Sequence, residues 1–287
     1  MVKTIGNPLS WGGATLSQAG HALETAAENI GSHDSVLPEI RPLTLADIRM
    51  ALDKGINDFA HFRSDVFVMV LIYPAIGILL AFAAFQQNLL HLIFPMAAGF
   101  ALIGPFVAIG LYELSRRREA GETVSWAQAI TVFRPAVAGP VFALGLYLMA
   151  LYAIWLVAAA WIYQITLGPD LPATLRGFAT EVMTTSEGYA MMTLGLATGL
   201  VFALLVLITG LISFPMLIDR RVGVPVAVAA SFRLARQSPR VVGFWGLTVA
   251  AILVAASIPV FLGLILALPI LGHTTWHLYR AAVRFPD

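Results

Sequence analysis

The sequence contains no cysteine, which excludes disulfides, thiolate nucleophiles and thiolate-bound zinc or iron–sulfur centres. It is also short of charge. Acidic and basic residues make up 11% of the 287 positions, against roughly 25% in an ordinary soluble domain. With 59% apolar residues and a mean hydropathy of +0.84, that is too little polarity to coat the surface with a water-facing shell. Lipid is the solvent this composition fits. The net charge of +1 points to no nucleic acid or strongly acidic partner. No Ser-His-Asp set, Walker loop or dinucleotide fingerprint stands out, and the carboxylates are too scattered for paired acid–base work, so no enzymatic activity is expected. A secretory signal is not expected either, because polar residues interrupt every short apolar run of residues 1–40. That segment reads as a flexible cytoplasmic tail, with Leu16, Ala19, Leu23, Ala26 and Ile30 permitting a weak amphipathic helix. Residues 41–287 then form the transmembrane domain.

All sixteen acidic residues lie outside five long apolar runs: Val66–Phe85, Leu89–Tyr112, Val137–Gln164, Tyr189–Ile218 and Val241–Tyr279. About 20 helical residues cross the hydrocarbon of a bilayer, so the first four runs are single spans. The fifth suits two short helices broken around Ser257-Ile258-Pro259. Six spans place sixteen of the seventeen Lys and Arg residues on one side, with Arg176 opposite. By the positive-inside rule that side is the cytoplasm, and both termini lie there.

The spans pair as hairpins, each preceded by a short amphipathic stretch. In Thr44–Phe62, Thr44 and Asp47 are spaced as a capping box, and Leu45, Ile48, Leu52, Ile56 and Phe59 share a face. The second stretch is Ser125–Phe133. In the third, Pro225–Ala235, Val228, Phe232 and Ala235 are apolar and Arg233 polar, with Arg236 just beyond. Gly104-Pro105 precedes Tyr112-Glu113 and Arg116 at the same offsets as Leu268-Pro269 precedes Trp276-His277 and Arg280. The fold expected is an all-α membrane protein: a six-helix transmembrane bundle of three hairpins, each led by a cytoplasmic amphipathic helix.

Three sets of residues carry chemistry. His273 and His277, four apart on one helix face, can chelate a metal if Glu113 or Asp219 supplies a third ligand. Read more plainly, Trp276, His277 and Tyr279 anchor a span at the interface. Arg116, Arg117, Arg118, Arg220 and Arg221 suit contact with lipid headgroups, and otherwise set topology. Glu113 and Asp219 either pair with neighbouring arginines or sit at the water boundary. Prolines break several spans, yet at depth only Tyr73 and hydroxyls such as Thr198, Thr209, Ser213, Thr248 and Ser257 offer polar groups. Gly195–Gly199 and Gly243–Gly246 suit close helix contact.

The stretches Phe94–Pro105, Gly110–Gly121 and Leu271–Arg280 resemble a mostly proteobacterial integral-membrane family catalogued as domain of unknown function 2189, over roughly residues 40–282. The resemblance implies a multi-pass protein of the bacterial inner membrane and carries no established activity or cofactor. The leading expectation is a non-enzymatic accessory, assembly or lipid-organising component, with anionic lipids or another membrane protein complex as partners. The alternatives are a facilitated carrier of an apolar or amphipathic solute and a metal- or haem-binding respiratory accessory protein.

Overall fold

The computed structural model describes residues 38–70, 78, 82, 89–102, 104–122, 135–168, 170, 174–259 and 262–286. The expected tail up to residue 37, most of the first span beyond Val70, and the stretch Ser125–Phe133 lie outside the described residues.

The described chain is almost wholly helical. Helix α1 spans Leu45–Val70. After a short 3-10 turn at Leu90–Leu92 come α2 (Ile93–Leu102), α3 (Gly104–Val107) and α4 (Ile109–Glu119). Next are α5 (Pro135–Thr166), α6 (Leu175–Thr184), α7 (Ser186–Gly210) and α8 (Ser213–Asp219). The last three are α9 (Val224–Gln237), α10 (Pro239–Ser257) and α11 (Leu264–Ala282). A two-residue strand β1 (Glu39–Ile40) pairs antiparallel with β2 (Val283–Arg284), tying the two ends of the described chain together.

Three described helical stretches are long and apolar enough to cross a membrane: Val137–Thr166, Ser186–Asp219 and Pro239–Ser257. They turn large apolar side chains outward; Leu146 is 72% exposed, Val157 69% and Leu247 68%. Apolar surface on that scale, unpartnered, fits lipid rather than water. Helix α11 is not among these three stretches, because its second half carries His273, Thr274, Thr275, His277 and Arg280.

Proline sets several boundaries. It begins α10 and stands in the first turn of α9, where its missing N–H costs nothing. Within a run it removes a backbone bond and disfavours helix just before it. The chain accordingly breaks between α2 and α4 around Gly104-Pro105, between α7 and α8 ahead of Pro215, and after Ser257 ahead of Pro259. The segment around Arg176, between the third and fourth apolar runs, contains a helix, α6, whose Thr174 cap accepts from the Gly177 N–H at 3.0 Å.

Helix α1 begins with the capping box. Asp47 Oδ2 accepts from the Thr44 N–H at 2.7 Å, and Thr44 Oγ1 accepts from the Asp47 N–H at 3.3 Å. Its buried stripe is not centred on the apolar residues singled out in sequence. Leu45 and Ile56 are exposed, while Asp47, Ile48, Ala51, Gly55, Asp58 and Phe62 face inward against α11. In α9 the stripe is likewise shifted: Ala227, Ala230, Ser231, Leu234 and Ala235 are buried, and Phe232 lies on the outside. Both shifts follow from close packing, in which small side chains admit a neighbouring helix and large ones are left at the edge. At Gly55 a Cβ would lie 2.3 Å from Thr274 Oγ1 and 2.8 Å from the Thr274 nitrogen, so only glycine fits there. Gly199 against Trp155 and Gly246 against Leu207 are similarly tight, whereas Gly195 and Gly243 face open space.

The core gathers where α4, α8 and α11 meet. Every residue of α8 from Ser213 to Ile218 is buried, and Tyr112, Leu114, Trp276, Leu278 and Tyr279 are each 1% exposed.

Candidate functional site

In the sequence Leu271–Arg280, the polar positions of α11 fall on the stripe that packs against α1, α4 and α8. Their partners come from far along the chain. The His277 Nε2–H donates to Asp58 Oδ2 at 2.8 Å. The Ser115 hydroxyl donates to that same oxygen at 2.5 Å. Arg118 Nη1 donates to Asp58 Oδ1 at 2.6 Å. One carboxylate, 5% exposed, therefore pins α1, α4 and α11 with three hydrogen bonds. Burial alone would raise its carboxyl, but the hydrogen bonds from His277 and Ser115 more than offset this and hold it below the ordinary carboxylate range.

His273 completes the cluster. Its Nδ1 lies 2.7 Å from Ser115 Oγ, whose proton is already given to Asp58. The ring is therefore the Nδ1–H donor, and Nε2 keeps a lone pair. That nitrogen is buried with no hydrogen-bond partner among the described residues. Phe62 stacks on the ring with centroids 5.9 Å apart.

An outer set surrounds this centre. Glu119 accepts from Trp276 Nε1 at 3.0 Å and from Arg280 Nε at 3.1 Å. Asp219 accepts from the Tyr279 hydroxyl at 2.7 Å, with Arg280 Nη1 at 3.5 Å. Glu113, 1% exposed, is held by Arg116 Nε at 2.7 Å and Arg117 Nε at 2.6 Å. Those two arginines outweigh its burial and lower its pKa. At the start of α1, Arg41 Nη2 lies 2.5 Å from Asp47.

The geometry redraws several expectations. Trp276 and Tyr279 are not turned outward as anchoring rings would be; they are buried between helices. Glu113 is enclosed rather than at the water boundary. The structure does bring His273 and His277 together, but the carboxylate that reaches them is Asp58, whereas Glu113 is engaged by arginines and Asp219 by Tyr279. The described residues form no group of three His, Cys, Asp or Glu side chains able to hold a metal ion. Of the arginines assigned to headgroups, Arg116, Arg117 and Arg118 are ion-paired to Glu113 and Asp58. Arg220 lies over the Phe285 ring at 4.9 Å, and Arg221 is exposed.

A Ser, a His and an Asp in contact invite comparison with a hydrolytic triad, and the wiring differs. The serine, not the imidazole, bridges to the carboxylate, so no base takes the hydroxyl proton. Ser115 is also 1% exposed, out of reach of a substrate. His277 lines a cleft of about 190 Å³ shared with Asp47, Lys54, Glu119 and Arg280. The arrangement is suited to locking helices together. Sequence reasoning missed Asp58 and Ser115 and gave Arg118 a different partner; the one available signal was an aspartate on the otherwise small-residue stripe Ala51, Gly55, Asp58 of α1.

No curated protein and no solved structure matches this chain. The likeness drawn over residues 40–282 is found across a narrower segment, and the ending Leu271–Arg280 lies outside it. Residues 93–219, from the first residue of α2 to the last of α8, match the family model DUF2189, a predicted integral membrane protein family of unknown function, and this is the family the sequence resembles.

Proposed function

We propose that this integral membrane protein acts without catalysis, as an accessory, assembly or lipid-organising component of the bacterial inner membrane. In this reading the chain crosses six times, with both termini and the basic segments in the cytoplasm. The observation that carries it is the use of the reactive side chains. Asp58, Glu113, Ser115 and His273 are each at most 5% exposed and bonded to one another or to nearby arginines, as a structural lock requires and an open active site does not.

The intramembrane hydroxyls support the same reading over a carrier. Thr209, Thr248 and Ser257 donate to the carbonyls of Leu205, Phe244 and Leu253 in their own helices, which leaves little polarity for a solute at depth. The test is affinity purification in mild detergent, followed by mass spectrometry of associated proteins and lipids and an absorbance scan. A defined complex or a retained lipid class is expected. A lone protein showing ligand-dependent flux in liposomes, or one with a Soret band or stoichiometric metal, would overturn the proposal.

A further inference from the structure

We infer that the outward face of α9, with the turns at its two ends, binds anionic phospholipid headgroups through Arg221, Arg233, Arg236 and Arg240. The inference rests on the reading above that the neighbouring helices lie in a bilayer.

Position comes first. Helix α9 starts five residues after the stretch Ser186–Asp219 and ends two residues before Pro239–Ser257, both long and apolar enough to span. A 14-residue helix tethered so closely at both ends stays at the membrane boundary. Its Ala227, Ala230, Ser231, Leu234 and Ala235 side is buried against the protein. The opposite side is therefore the one presented outward, with Phe232, Arg233 and Arg236 exposed.

Charge is the second observation. No Asp or Glu occurs between Arg220 and Pro286. The carboxylate that comes just before this stretch in the chain, Asp219, is occupied by Tyr279 and Arg280. Arg221, Arg233, Arg236 and Arg240 are exposed and have no ion-pair partner among the described residues. The contrast with Arg116, Arg117 and Arg118, all paired inward, identifies which arginines remain for an external anion. Guanidinium groups fit phosphate oxygens with paired N–H donors.

The third observation is the mixture of groups. Phe232 is 49% exposed, and the Arg236 guanidinium sits over its ring, 5.9 Å from the centroid. These two residues line a recess with Ala229, Arg233 and Gln237. An aromatic ring beside unpaired arginines suits the level where acyl chains meet phosphates, a match that a free phosphate ion would use only in part.

The experiment uses the full chain in dodecyl maltoside micelles containing dioleoyl-phosphatidylglycerol or dioleoyl-phosphatidylcholine, with bound lipid counted by mass spectrometry. Wild type should retain phosphatidylglycerol in preference to phosphatidylcholine and lose that preference in high salt. Arg233→Gln, Arg236→Gln and Arg240→Gln should each lower affinity about fivefold, the factor expected for one basic side chain at an anionic surface. Arg176→Gln, on the exposed part of α6, should change nothing. The three Gln substitutions together should abolish the preference for phosphatidylglycerol; if that triple variant fails to fold, the singles and the combined Arg233→Lys, Arg236→Lys and Arg240→Lys variant, which should keep most of the affinity, carry the test. Equal retention of both lipids, unchanged retention in the Gln variants, or displacement by inorganic phosphate at equal charge concentration would overturn the inference. Such a result would leave the non-catalytic reading standing, since that rests on flux and complex purification.

Discussion

Replacing Gly55 with alanine sets two known effects against each other. In an exposed helix interior the change would stabilise by roughly 0.8–1 kcal/mol through helix propensity. Here the new methyl group would lie 2.3 Å from Thr274 Oγ1, 2.8 Å from the Thr274 nitrogen and 3.0 Å from its Cα. The hydroxyl cannot simply swing aside, because it donates to the Ile270 carbonyl at 2.6 Å. The two backbone atoms can yield only if α11 moves away from α1. Overpacking of this kind costs about 1–3 kcal/mol, and withdrawal of α11 stretches the bond from His277 to Asp58, a charged hydrogen bond of roughly 1.5–3 kcal/mol. Clash should win, with a net loss of about 1–3 kcal/mol. At roughly 2–4 °C per kcal/mol for a chain of this size, Gly55→Ala should melt a few degrees below wild type in mild detergent, followed by tryptophan fluorescence. Adding Thr274→Ala removes the closest contact but not the backbone ones, so rescue should be partial. Gly195→Ala, where no atom lies within 4 Å, should instead hold or raise the melting temperature. A Gly55→Ala protein as stable as wild type would refute the packing argument.

Asp58→Ala should be more damaging than any single change in the arginine run, because it leaves His277, Ser115 and Arg118 without their acceptor. Loss of one partner in a buried pair costs about 3–5 kcal/mol, less here because Arg118 is 33% exposed and can turn to water; the melting temperature in detergent checks it. Ser115→Ala should cost about 1–3 kcal/mol by removing the hydroxyl that bonds both Asp58 and the His273 Nδ1–H in the core, and Ser115→Thr should recover part of it if the hydroxyl is what matters. Acid should unlock the same cluster. The pKa values of Asp58 and Glu113 are lowered by folding, so their contribution is complete above the ordinary carboxylate value near 4. It is then lost as pH falls through the lower folded values. Stability measured from pH 7 to pH 3 should stay level with respect to these groups until about pH 4 and then drop.

Much of the helical framework is legible in the sequence because it rests on local rules. Uncharged runs mark α5, α7 and α10, and prolines mark where α8 and α10 begin or end. Thr44 and Asp47 announce the first turn of α1 from three residues apart. The helix α6 is harder to see, since Thr174 is its main signal in a segment otherwise read as a loop. The candidate site was half visible. His273 and His277 stand out by spacing, but their carboxylate is 219 residues from His277, and nothing local to Asp58 names its partners. The apolar face of α1 misleads for a related reason. Leu45 and Ile56 have the greater hydrophobicity, yet Ala51 and Gly55 have the smaller bulk, and close approach of α11 selects for bulk.

The pairing of β1 with β2 and of α1 with α11 joins the earliest described part of the chain to the latest. During synthesis Asp58 leaves the ribosome long before His277 exists. At roughly 5–20 residues per second, the 219 residues between them take about 10 to 40 seconds to make. For that interval α1 has no α11 to pack against, and its small-residue stripe at Ala51 and Gly55 stays uncovered. Docking of α11 onto α1 can therefore come only after every other described helix has been made, and truncation just before α11 would leave Asp58 without His277 and α1 without its main neighbour.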